Sequence, residues 1–118
     1  MAAKDILGKR GEDLAAGYLT EHGYRLVARN WRCPQGEIDV IAQRGGETVF
    51  VEVKTRTSTA YGHPFEAITL SKLARLRRLA AAWCQQADAG AGRIRIDAIA
   101  VLAPRGETPT IEHLQGVF

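Results

Sequence analysis

Two β-patterned runs, EIDVIAQ (Glu37–Gln43) and TVFVEVKTR (Thr48–Arg56), are separated only by Arg44-Gly45-Gly46-Glu47. A glycine pair supplies the positive φ angles that a tight hairpin turn demands, so the two runs are predicted to pair antiparallel around it. Side chains alternate along a strand, which puts Glu37, Asp39 and Ile41 on one face and Ile38, Val40 and Ala42 on the other. In the second run Val49, Val51 and Val53 share a face, and Phe50, Glu52 and Lys54 share the opposite one. Asp39 and Glu52 are thereby expected on the same side of neighbouring strands, with Lys54 one pleat further on.

The rest of the chain supplies cover for this hairpin. GKRGEDLAAGYLTEH (Gly8–His22) reads as an amphipathic helix, because Leu7, Gly11, Leu14 and Tyr18 recur at three- and four-residue steps before Gly23 stops it. Glu12 falls on the flank of that stripe. YRLVARNWR (Tyr24–Arg32) reads as a first strand, closed by the turn Cys33-Pro34-Gln35-Gly36. TSTAYGHP is expected to be a loop. Leu70–Ala87 forms a second helix, with Leu73, Leu76, Ala80, Trp83 and Cys84 on one face and Lys72, Arg75 and Arg78 on another. After a glycine break at Gly90-Ala91-Gly92, RIRIDAIAVLA is a further strand, and TIEHLQGVF offers a short closing edge strand. The order is α-β-β-β-α-β with an optional last β, an α/β chain whose mixed sheet is flanked by helices. A length of 118 residues, 46% of them hydrophobic, suits one domain over 1–118.

Carboxylates inside a sheet need a cation, a hydrogen-bond network or water at a strand end. Two oxygen-rich side chains beside an open position, Asp39 and Glu52, are a candidate Mg²⁺ or Mn²⁺ site, with Lys54 placed to hold an anion or orient water. A structural ion pair, Glu52–Lys54 or Asp39–Lys54, stands beside that reading. Charge is unevenly spread. From Glu52 to Arg78 six basic residues face two acids, while the remainder carries ten basic against eleven acidic. A basic segment next to acid-bearing strands fits a phosphate-rich ligand, as well as an ordinary solvated helix face.

GEID followed by VFVEVKTR resembles the metal-binding core of the PD-(D/E)xK nuclease superfamily, Asp39 matching the lone aspartate and Glu52-Val53-Lys54 the ExK tripeptide. Five blocks in order, GKRGEDLAAGYL, GYRLVARNWR, GEIDVIA, VFVEVKTR and RIDAIAV, resemble the YraN-like family of small bacterial proteins, whose fold is similar to that of archaeal Holliday-junction resolvases. The resemblance implies a restriction-endonuclease-like fold, Asp39 and Glu52 as metal ligands, Lys54 as the catalytic lysine and Glu12 as an additional helix-borne acid ligand. Ile38 stands where the superfamily pattern has proline. The implied function is a Mg²⁺- or Mn²⁺-dependent nuclease acting on DNA, open to selectivity for branched substrates. A nucleic-acid-binding protein that keeps the fold without cleavage is the alternative.

Arg56, Lys72, Arg75 and Arg78 are the candidate phosphate contacts. Glu37 is read as a solvated residue at a strand start, with a supporting contact to the metal as its other role. Asp97 is read as structural, Tyr61 as surface, Trp31 and Trp83 as core. His22, His63 and His113 are expected to be solvated, since none has a partner at ligand spacing. Cys33 and Cys84 form no CxxC pair and are expected as reduced, mostly buried thiols. No apolar run reaches the ~20 residues of a membrane span and none resembles a signal peptide, so a soluble, cytoplasmic protein is expected, with a homodimer as one route to substrate selectivity.

Overall fold

The computed structural model describes residues 3–87 and 92–117. Gly90 and Ala91 of the expected glycine break, and Phe118, lie outside them. Helix α1 spans Ala3–Glu21, beginning five residues before the expected start because Leu7 carries its apolar stripe back by a turn. Gly23, at φ +86, ends it: Tyr24 N–H then bonds the Leu19 carbonyl at 2.9 Å, a left-handed glycine cap. Strands β1 (Arg25–Cys33), β2 (Gly36–Arg44) and β3 (Glu47–Arg56) follow as an antiparallel meander. In the β2–β3 turn Arg44 pairs with Glu47 across Gly45 and Gly46, both at positive φ, as the glycine pair dictates.

A 3₁₀ turn at Pro64–Ala67 leads into helix α2 (Leu70–Gln86), whose first turn is capped by Thr69 Oγ1 accepting from Lys72 N–H. Helix α2 returns the chain to β4 (Arg93–Leu102), which runs parallel to β3, and β5 (Thr110–Leu114) closes the edge antiparallel to β4. The sheet order is β1-β2-β3-β4-β5. This is the expected mixed α/β sheet with the expected element order, the optional last strand included.

Alternation along β3 and β4 separates two cores. Val49, Val51, Val53, Ile99 and Val101 pack with Ala15 and Leu19 of α1, whereas Phe50 and Ile96 pack with Leu73, Leu76, Leu79 and Trp83 of α2. The sheet is therefore covered on both faces, which explains its nearly continuous apolar strands. Trp83 is buried and Trp31 half-buried against the same cluster. Cys33 and Cys84 are free and only half-buried. No described helix is long and apolar enough to cross a membrane.

Two of the three histidines, His113 and His63, depart from the sequence expectation, while His22 is exposed as expected. His113 is only 5% exposed: its Nε2 meets Asp97 Oδ2 at 2.6 Å and its Nδ1 meets the Tyr18 hydroxyl at 3.2 Å. Asp97 is fully buried and also accepts two hydrogen bonds from Arg95 at 2.8 Å and the Gly116 N–H at 3.0 Å. Burial pushes its carboxyl up, but those donors outweigh burial and hold it below the usual range. Arg95 in turn reaches Glu47 and the Tyr24 hydroxyl. The network ties β5 to α1 and to the β2–β3 turn, so Asp97 is structural as read. His63 caps the 3₁₀ turn and pairs with Glu112 at 2.9 Å, and His22 lies against the Tyr18 ring. The partners of His113 and the Glu112 partner of His63 are distant in sequence, so local spacing could not reveal them.

A candidate metal centre where two strands part

The β2–β3 ladder runs from Arg44 opposite Glu47 to Val40 opposite Val51 and stops there, although both strands continue. Backbone groups left over at such an opening need other partners. Asp39 supplies one, its Oδ2 accepting the Val53 N–H at 2.8 Å. The carboxylate thus sits in the gap between the strands.

Two further acids converge on it. Glu12 of α1, Glu37 and Asp39 each place a carboxylate oxygen within 4.8 Å of the others. Glu12 arrives there because the preceding residue has no side chain: a Cβ on Gly11 would stand 1.8 Å from Thr55 Oγ1. Only glycine lets α1 lie this close to β3.

Protein cations leave the cluster under-neutralised. Arg32 pairs with Glu37 at 2.6 Å, whereas Arg29 is drawn to Asp13 at 2.7 Å and Asp39 is met by a backbone N–H. Burial, reinforced by the Glu52 charge and opposed by the Val53 N–H, pushes the Asp39 carboxyl up to about 7. Burial and then the Glu37 charge push Glu12 up as well. Two carboxylates whose burial and neighbouring charges oppose ionisation, Asp39 and Glu12, together with the Glu37 carboxylate beside them, form a donor set suited to a hard divalent cation, which would supply the missing charge.

Glu52 stands beside this triad rather than within it. Lys54 Nζ lies 3.2 Å from Glu52 Oε1, with the two side chains 23% and 22% exposed, so of the two ion pairs considered it is Glu52–Lys54 that forms. Glu52 faces α2 and lines a narrow cleft with Glu37, Lys72 and Arg75. On the other side Glu37 borders an open groove of about 550 Å³ with Glu12, Lys9, Arg29, Asn30 and Arg32. Lys72 bonds the Ala67 carbonyl at 2.9 Å. Arg78 is exposed further along α2 and does not line the cleft, and Arg56 is exposed at the end of β3, donating to the Thr55 carbonyl. Tyr61 is fully exposed, as expected.

The facing of β2 corrects the sequence expectation. Ile38 packs with Ile41 in the α2-side core, while Val40 and Ala42 lie in the α1-side core. Strict alternation therefore fails at Asp39, and Glu37 joins Glu12 instead of remaining a solvated strand start. The available signal was Asn30, an asparagine inside a β-patterned run, where that residue type is depleted.

The match to known proteins covers most of the chain. Residues 11–101 fit the family model described as Uncharacterised protein family UPF0102. The UPF0102 protein of Arthrobacter sp. (strain FB24) is 56% identical over 117 residues, covering 99% of each chain. That of Leifsonia xyli subsp. xyli is 57% identical with the same coverage, and that of Nocardia farcinica 48% identical over 98% of this chain and 91% of its own. The family match over most of the chain and this level of identity along nearly its whole length place the protein in the UPF0102 family, which is YraN-like.

Proposed function

We propose that this protein is a divalent-metal-dependent nuclease that hydrolyses phosphodiester bonds in DNA. The observation that carries the reading is the meeting of Glu12, Glu37 and Asp39 within 4.8 Å, beside the Glu52–Lys54 pair, at the end of the sheet. Asp39, Glu52 and Glu12 are the ligands anticipated from the nuclease resemblance; Asp39 and Glu12 meet, Glu37 adds a third oxygen, and Glu52 lies outside that triad, paired with Lys54, its charge adding to burial in raising the Asp39 carboxyl. A bound Mg²⁺ or Mn²⁺ would offset the phosphate's charge and make water a better nucleophile. Lys54 holds positive charge where negative charge grows on the phosphate, and Lys72 and Arg75 hold the backbone without reading sequence. Arg56 and Arg78 extend that contact further along the strand.

A second reading has its own observation. The Lys54 ammonium is engaged by Glu52, as a purely structural pair would require, which favours a DNA-binding protein that keeps the fold without cleavage. Purified protein incubated with linear, flapped and four-way DNA, with Mg²⁺ or Mn²⁺, separates the two. Cleavage that falls by about 10² or more in Lys54→Ala at little cost in thermal midpoint supports the enzyme. Metal-independent binding with no cleavage of any substrate supports the binding protein.

A further inference from the structure

Strands β1 and β2 change faces together at a single step. Arg29 stands opposite Val40; Val40 packs in the α1-side core and Arg29 reaches Asp13 of α1. One pair nearer the Pro34-Gln35 turn, Trp31 stands opposite Ile38, and both pack in the α2-side core. Residues two apart on a regular strand face the same way, so each strand has reversed between these pairs. Register is unchanged across the step, which means that no residue has been inserted in either strand. The reversal is shared.

Asn30 and Asp39 lie between the two pairs, opposite one another. Asn30 has φ 53, the sole positive φ of a non-glycine among the described residues. A left-handed residue within a strand turns the side chains that follow it, and asparagine tolerates that conformation better than any β-branched residue. Beyond the step Glu37 meets Glu12 while still bordering the Glu52 cleft at the strand end; under strict alternation it would point with Ile41 to the α2 side, away from α1. At the step itself Asp39 lies in the gap, bonded to Val53 N–H.

We propose that Asn30 is the positioning residue of the acidic centre: its left-handed backbone, opposite Asp39, reverses the β1–β2 hairpin and so aims Asp39 at β3 and carries Glu37 to Glu12. The requirement is for the backbone angle and not the amide group, so glycine should serve in its place. The inference rests on the proposed metal site only in its second readout.

Two measurements on full-length protein test it, on wild type, Asn30→Gly and Asn30→Val. The first needs no metal: hydrogen exchange at the Val53 amide, read against the amides of the intact β2–β3 ladder. Protection should persist in wild type and Asn30→Gly and be lost selectively in Asn30→Val. The second is Mn²⁺ calorimetry, where Asn30→Gly should match wild type and Asn30→Val should bind roughly 10- to 100-fold more weakly, the loss typical when a ligand's support is removed. If Asn30→Val does not fold, Asn30→Ala carries the same left-handed penalty without the branch and should show the same order. Unaltered Val53 protection in the folded Val or Ala variant overturns the proposal, as does an Asn30→Gly protein that loses protection equally. Wild type that ignores Mn²⁺ while the exchange order holds would retire the metal reading and support the positioning role.

Discussion

Replacing Asp39 with asparagine should stabilise the metal-free protein at alkaline pH. The Asp39 carboxyl is pushed up from its ordinary 3.8 to about 7, by burial first and then by Glu52, with the Val53 N–H opposing. The folded state therefore holds this proton more tightly than the unfolded chain. Below about pH 4 both states are protonated and the stabilising contribution is complete; as pH rises through 7 it is lost. At about 1.4 kcal/mol per pH unit, the charged carboxylate withholds on the order of 4 kcal/mol from the fold above pH 7. Asparagine resembles the protonated acid and its carbonyl can still accept from Val53. Even half of that energy moves the midpoint by roughly 8 °C in a domain of this size. Thermal unfolding in EDTA should thus show Asp39→Asn and wild type nearly equal near pH 4, and the variant higher by about 8 °C or more at pH 8. Saturating Mn²⁺ should raise the wild-type midpoint and leave that of the variant unmoved. A difference that stays flat with pH, or a variant less stable at pH 8, would refute the buried, like-charged environment assigned to Asp39.

Gly11→Ala should cost about 1–3 kcal/mol in denaturant unfolding, because its Cβ meets Thr55 Oγ1 at 1.8 Å, and should weaken Mn²⁺ binding as α1 lifts Glu12 away. Charge reversal at Lys72, Arg75 and Arg78 together should weaken DNA binding and flatten its salt dependence, each lost phosphate contact removing ~0.9 from the log–log slope on duplex DNA. An unchanged slope would place the DNA path elsewhere, the groove bordered by Lys9, Arg29 and Arg32 being the next surface to test. Asp97→Ala should destabilise by about 3–5 kcal/mol, since it strands Arg95 and His113 inside the fold. Fluorescence-monitored urea unfolding checks this, with a loss under 1 kcal/mol as the contrary result.

Much of the architecture could be read locally because its causes are local. Gly45-Gly46 fixed the β2–β3 turn through backbone freedom that other residues lack, and the alternation of Val49, Val51 and Val53 with Phe50 assigned the two faces of β3 correctly. Leu73, Leu76, Ala80 and Trp83 identified the buried side of α2 by helical period. Asp39 and Glu52 were legible as acids on adjoining strands, whereas Glu12 was joined to them only through the family resemblance, and the structure sets Glu52 beside the Glu12–Glu37–Asp39 cluster.

The constitution of the candidate site was decided by tertiary structure. Periodicity assumes one backbone conformation throughout a strand, and Asn30 breaks that assumption in β1 while its partner Asp39 breaks it in β2. Hence Glu37, assigned by alternation to the face of Asp39 and Ile41, came instead to Glu12. His113 and Asp97 found each other across β4 and β5, and Glu12 reached the sheet through the missing side chain of Gly11 against Thr55. Each of these depends on two segments far apart in the chain meeting at ångström precision. Local propensity and period carry no information about that meeting; packing alone sets it.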